Sequence, residues 1–142
     1  MAARDLHHVG LAVADLERAV ARWCDLFGAE IEAEEDVPSQ GVRAVALRTG
    51  SGRVELLAAT GPDTPVGRFL ERRGEGMHHV AFTVDDVAAE LGALRALGAT
   101  LIDEQPRQGL YGPVAFVHPE TVGGVLIELV GRFGPDVSKE NP

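Results

Sequence analysis

Apolar and polar positions follow the same order twice along this chain. Residues 7–13 alternate in the manner of a half-buried strand, with Val9, Leu11 and Val13 on one side. Asp15 is placed to cap a helix. Leu16, Val20, Trp23 and Phe27 then recur at helical spacing up to Gly28, a C-terminal stop. Three strands are expected next, near 30–35, 42–48 and 53–58. The order restarts with a strand over 79–84 and a helix capped by Asp85 or Asp86 and running to Gly98. Strands near 100–104, 113–118 and 124–130 complete it. A Pro/Gly turn, a short helix around Val66–Arg72, and Gly74 and Gly76 fill the interval.

The letters repeat as well as the pattern. Residues 6–31 read LHHVGLAVADLERAVARWCDLFGAEI and residues 77–102 read MHHVAFTVDDVAAELGALRALGATLI. Val54-Glu55-Leu56-Leu57 near the end of one copy answers Ile127-Glu128-Leu129-Val130 in the other. The expectation is an α+β fold of two tandem βαβββ modules, about 6–60 and 77–131, with a linker over 61–76. Together they form a single domain over 1–133. Residues 134–142 are polar, carry two prolines and are expected to form a flexible tail.

Strand parity sorts the repeated chemistry. Val9, Leu11 and Val13 face the helix, so His8, Gly10 and Ala12 face away; Val80, Phe82 and Val84 leave His79, Ala81 and Thr83 on the equivalent face. Glu55 opposes Val54 and Leu56, and Glu128 sits in an apolar run where an unpaired carboxylate is costly. A single strand histidine is more often a hydrogen-bonded structural residue than a ligand. Two at equivalent positions, each with a repeated glutamate, favour ligation. His8, Glu55, His79 and Glu128 together make a mixed N/O site for cobalt, manganese, nickel, iron or zinc. His7 and His78 have the wrong parity or precede the strand.

Charge and composition narrow the partners. The net charge of −9 argues against nucleic acid, whose backbone rewards a basic face. Arg68, Arg72, Arg73 and Arg107 can still serve a small anion locally, though solvated surface is the commoner role for such arginines. No apolar run approaches the roughly 20 residues that span a bilayer, and no membrane partner is expected. The lone Cys24 excludes an internal disulfide and fits a cytoplasmic protein. It lies beside Trp23 on a helix, where packing is its expected role.

The chain resembles the vicinal oxygen chelate superfamily, and within it the methylmalonyl-CoA epimerases, up to about Phe133. The resemblance is carried by His8-Val9-Gly10-Leu11-Ala12-Val13, Ser39-Gln40-Gly41-Val42-Arg43 and Val54-Glu55-Leu56-Leu57. It continues in Gly76-Met77-His78-His79-Val80-Ala81-Phe82, Phe116-Val117-His118-Pro119 and Gly123-Gly124-Val125-Leu126-Ile127-Glu128-Leu129. It implies a cupped, mostly antiparallel sheet around one metal, cobalt being favoured, with His8, Glu55, His79 and Glu128 as ligands. Some epimerases carry a glutamate, thought to be a base, where this chain has Ala44. His118 is expected to fix the turn toward Gly123-Gly124.

The implied reaction is epimerisation of a 2-substituted malonyl-CoA thioester, by proton abstraction α to the thioester through a metal-stabilised enolate. Glu128 is the first candidate base. Glu55, a water or a metal-bound hydroxide are candidates for the second proton transfer. Gln40, Arg43 and Arg107 are the candidate substrate-binding residues, Arg43 or Arg107 being expected to meet the anionic CoA portion outside the cup, and a homodimer is expected. The competing readings are a glyoxalase-like isomerase or lyase on the same scaffold, and a metal-free small-ligand binding protein.

Overall fold

The computed structural model describes residues 4–132. Chain contacts gather into two compact units, His8–His78 and a second that joins the residues before His8 to those from His79 onward.

The first unit takes most of strand β1 (Asp5–Ala12), helix α1 (Leu16–Phe27), and strands β2 (Glu30–Val37), β3 (Val42–Thr49) and β4 (Gly52–Ala59), then helix α2 (Pro65–Arg73). Its strand order is β2-β3-β4-β1. β2/β3 and β3/β4 are antiparallel, whereas β1 and β4 run parallel. Asp15 caps α1 by accepting from Arg18 N at 3.0 Å, a contact typically worth about 1 kcal/mol. Gly28 closes the helix at φ 67°, where its N–H reaches the Cys24 carbonyl. Leu16 packs on Val45, Leu47 and Leu56, with Trp23 and Cys24 at the margin. These residues are the apolar parity of β3 and β4, so α1 covers one sheet face and leaves the other to His8. The acidic β2 ends the strand order, and its exposed charges suit an edge.

The second unit repeats the plan with β5 (Gly76–Val84), α3 (Val87–Ala96), β6 (Arg107–Gly109), β7 (Gly112–Val117) and β8 (Leu126–Gly131), in the order β5-β8-β7-β6. β5 and β8 are parallel, and the other pairings are antiparallel. Asp86 caps α3 through Ala89 N at 3.1 Å. Val87 and Leu91 pack on Ala115, Val117 and Leu129. The first residues of β1 belong here: Arg4 pairs with Glu90, and Arg132 bridges Asp5 and Asp85 at 3.1 and 2.8 Å.

The expected βαβββ order is present in both units, with two local corrections. The strand expected near 100–104 is a single bridge, Leu101 to Val117, and the strand that forms lies later, at Arg107–Gly109. Ile102 N and Asp103 N both donate to Phe116 O, at 3.1 and 3.2 Å, and the Asp103 carboxylate accepts from Phe116 N at 2.8 Å. A side chain thus replaces the ladder at this point, and Pro106 has no N–H to restore it. Helix α3 also stops at Ala96 rather than at Gly98. The tail expected over 134–142 lies outside the described residues.

Candidate functional site

Each unit buries one histidine and one glutamate, and the same register brings them together. In the first unit Glu55 lies beside Gly10 in the parallel β1/β4 pair. His8 precedes Gly10 by two residues and so shares its face. The His8 Nε2 to Glu55 Oε2 separation is 3.6 Å, with 2% of His8 and 7% of Glu55 exposed. Gly10 and the buried Ala12, Ala44 and Ala46 lie on this face around the pair, so little side-chain bulk stands next to it, and the larger Leu57 forms a wall two residues further along β4.

In the second unit Glu128 lies beside Ala81, two residues after His79. His79 Nε2 is 3.1 Å from Glu128 Oε1, and both residues are buried to the same degree as their counterparts. The residue across the antiparallel ladder differs. It is Ala46 for Glu55 and Phe116 for Glu128. The Phe116 ring stands edge-on to His79, with centroids 6.3 Å apart.

Buried carboxylates are expensive unless paired or bound to a cation. The imidazoles meet part of that requirement. The donor set also fits a divalent ion. Two N/O donors of one cation, each bonded at roughly 2.1 Å, lie about 3.0–3.4 Å apart at right-angled to tetrahedral geometry. The 3.1 and 3.6 Å separations are close to that range.

The off-parity histidines have packing roles, as parity requires. His7 stands edge-on to Tyr111 with centroids 4.7 Å apart, and His78 does the same to Phe69 at 4.9 Å. His118 Nδ1 accepts from Glu120 N at 3.1 Å, which caps the short 3-10 turn Pro119–Val122 leading to Gly123. Its expected structural role therefore holds. Arg68 donates to the Asp63 carbonyl at 2.6 Å, and Arg73 lies over Phe69. Gln40 is half-buried at the end of the 3-10 turn before β3. Gly41 follows it at φ 65°, where an added Cβ would run into the Thr64 side chain.

The two candidate substrate arginines part company. Arg43 shares the parity of Val45 and Leu47, so it emerges on the α1 side of β3. There it meets Glu17 at 3.0 Å and Asp36 at 3.6 Å. This is the face opposite to Glu55, and it removes Arg43 from the buried His–Glu face. Arg107 pairs with Val114 across β6/β7, and Val114 with Val130 across β7/β8, which places it on the Glu128 face. Asp103 and Phe116 escaped sequence reasoning. The available signal was that Phe116 is the one phenyl ring in the segment Gly112–Val117.

Comparison with known proteins agrees with this geometry. Residues 7–116 match the family model for the Glyoxalase/Bleomycin resistance protein/Dioxygenase superfamily. The chain is 37% identical over 126 residues to the mitochondrial methylmalonyl-CoA epimerase of Homo sapiens, covering 87% of this chain and 72% of the relative. It is also 37% identical to the ethylmalonyl-CoA/methylmalonyl-CoA epimerase of Cereibacter sphaeroides, covering 87% of this chain and 95% of that one. The crystal structure of methylmalonyl-CoA epimerase from Mycobacterium tuberculosis superimposes with a TM-score of 0.88 at 35% identity, covering 94% of this chain and 91% of the other. The chain therefore belongs to the Glyoxalase/Bleomycin resistance protein/Dioxygenase superfamily, as a methylmalonyl-CoA epimerase-like isomerase.

Proposed function

We propose that the chain epimerises a 2-substituted malonyl-CoA thioester, methylmalonyl-CoA foremost, with one divalent metal held by His8, Glu55, His79 and Glu128. The observation that carries this reading is the repeated buried His–Glu pair, set in equivalent register in each unit. His8, Glu55 and His79 have the residue types and burial that suit metal donors. Two relatives add support for the substrate. One solved structure, 34% identical with a TM-score of 0.88, is a methylmalonyl-CoA epimerase in complex with methylmalonyl-CoA and NH4+. Another, 35% identical, is a Streptomyces coelicolor methylmalonyl-CoA epimerase variant in complex with 2-nitronate-propionyl-CoA.

When bound, a divalent cation supplies Lewis-acid stabilisation of the negative charge that develops on the thioester oxygen. Glu128 takes the α-proton, and the C–H electron pair moves into the thioester carbonyl to give an enolate. A proton returned to the opposite face regenerates the C–H bond with inverted configuration, so no redox partner is needed. Glu55 is the carboxylate that the repeat offers for this second transfer. Apolar walls such as Leu57 and Val130 keep water from competing for the carboxylates. Cobalt as the ion, a homodimer and a cytoplasmic location belong to the same proposal. No helix among the described residues is long and apolar enough to cross a membrane.

The test is exchange of the α-proton of methylmalonyl-CoA with solvent deuterium, before and after chelation and metal restoration. Exchange that requires metal is expected. Undiminished exchange in the chelated protein removes the metal from the proposal, and absence of exchange in the metal-loaded protein removes the substrate.

A further inference from the structure

A cavity of about 410 Å3 opens on the outer side of α1, lined entirely by residues of the first unit. Helix α1 packs on the sheet face opposite to His8 and Glu55, so the sheet stands between them and this cavity. Asp15, Ala19 and Trp23 recur at every fourth residue, and Arg18 and Arg22 run beside them at the same spacing. All five side chains therefore share one face of the helix. Glu75, just before β5, closes the N-terminal end by accepting from Ala14 N at 2.8 Å. Asp15 Oδ1 accepts from Arg18 N at 3.0 Å, so the helix N-terminus is already capped. Both rim carboxylates are thus committed to backbone amides. The guanidiniums are not committed: among the described residues neither Arg18 nor Arg22 makes an ion pair or a side-chain hydrogen bond. Trp23 is half-buried. Its ring meets Phe27 with centroids 5.2 Å apart and packs on the core beneath, which holds the indole in place beside the cavity.

We propose that this cavity is a second binding site, for a planar organic monoanion of the aromatic carboxylate class. The unused hydrogen-bonding capacity of the lining is cationic, which calls for an anion. A guanidinium offers paired N–H donors that match a carboxylate. Asp15 and Glu75 keep their charge, and with Arg18 and Arg22 they leave the lining balanced. A dianion such as phosphate would be repelled by the two carboxylates, whereas a single negative charge between the arginines is not penalised in the same measure. The indole supplies a flat apolar surface on which an aromatic ring stacks. The volume falls within the roughly 300–1,000 Å3 of small-molecule sites. The second unit has no such lining: Ala89 and Ala93 stand in α3 at the repeat positions of Arg18 and Arg22, and Leu94 at that of Trp23. The site therefore belongs to one unit and is no part of the repeated His–Glu arrangement.

Trp23 is the only tryptophan of the chain, so its emission reports on the cavity directly and needs no turnover. The experiment titrates the metal-loaded protein with benzoate, and with benzamide, cyclohexanecarboxylate and inorganic phosphate as probes lacking the charge, the planar ring and the single charge respectively. Benzoate should change the emission saturably, with a Kd on the order of 1 mM for a ligand of about nine non-hydrogen atoms. Each of the other probes should bind about 10-fold more weakly or not at all. Arg18→Gln and Arg22→Gln should each weaken benzoate roughly 10-fold, the loss of a charge-assisted hydrogen bond. Saturating methylmalonyl-CoA should leave the benzoate Kd unchanged. Absence of a saturable response to benzoate, or a response undiminished in both variants, would overturn the proposal. Equal binding of any of the other three probes would overturn the ligand class. Competition by methylmalonyl-CoA would assign the cavity to the substrate and remove it as a second site. If either variant fails to fold, the wild-type ranking of the four probes decides by the same criteria.

Discussion

Phe116 stands directly across from Glu128 in the β7/β8 ladder, at the place where β3 sets Ala46 across from Glu55. The two carboxylates are equivalent by repeat and inequivalent by surroundings. Glu55 faces a methyl group. Glu128 faces a ring that also meets His79 and carries the Arg107 guanidinium. Removing a proton from one face of a carbon and returning it to the other calls for two acid/base groups, and these two carboxylates would meet that need in different surroundings.

Metal content should depend on both histidines. His8→Ala and His79→Ala are each expected to lose most of the bound ion, of which wild type should hold about one per chain. Elemental analysis after desalting checks this, and full retention of metal by both variants would exclude the four-residue ligand set. The surviving glutamate in each variant is left buried without its imidazole, so a lower Tm should accompany the loss.

Glu128→Gln separates ligation from proton transfer. The carboxamide still offers an oxygen to a cation but accepts no proton as a base. Deuterium exchange should fall by on the order of 10²–10⁴-fold while part of the metal remains. A folded, metal-loaded Glu128→Gln protein with wild-type exchange would show that another group carries the proton.

Ala44→Glu tests the residue that departs from some related epimerases. Ala44 is buried on the Glu55 face, opposite Leu57 on one side and Glu35 on the other. The new carboxylate would meet Glu35 directly across the ladder, and like charges there are destabilising. The expected result is a lower Tm with exchange kept or raised. Exchange abolished in a folded, metal-loaded Ala44→Glu protein would mean that position 44 does not tolerate a base in this site.

Arg43→Gln should leave the KM for methylmalonyl-CoA unchanged, because Arg43 lies on the α1 face with Glu17 and Asp36. A raised KM would instead assign Arg43 to the CoA portion of the substrate, outside the His–Glu face. The pair has a pH signature as well. Glu17 titrates below the usual carboxylate range, chiefly through a backbone hydrogen bond and then through Arg43. A depressed carboxylate stabilises the fold above its unfolded pKa, and that contribution fades as pH falls through the folded value. The Tm difference between wild type and Arg43→Gln should therefore be present near neutrality and narrow below the ordinary glutamate range. Thermal melts across acid pH measure it.

The sequence alone determined whatever depends on periodicity. Alternation placed β1 and β5, helical spacing placed α1, and the capping roles of Asp15 and Gly28 follow from local chemistry. The same parity put His8 and Glu55 on the face of one unit that α1 leaves uncovered, and His79 and Glu128 on the face of the other that α3 leaves uncovered, because a strand's period of two sends every second side chain to the same side. Tertiary structure decided what depends on partners distant in the chain. Register set Glu55 beside Gly10 and Glu128 beside Ala81. The side-chain bond from Asp103 to Phe116 N broke up the strand expected near 100–104, since a carboxylate took the place of a ladder acceptor. That bond also fixed Arg107 over Phe116 and so made the two pairs unequal. No pattern of apolar and polar letters encodes it, because it joins residues 13 apart through one side chain rather than through a repeated backbone spacing.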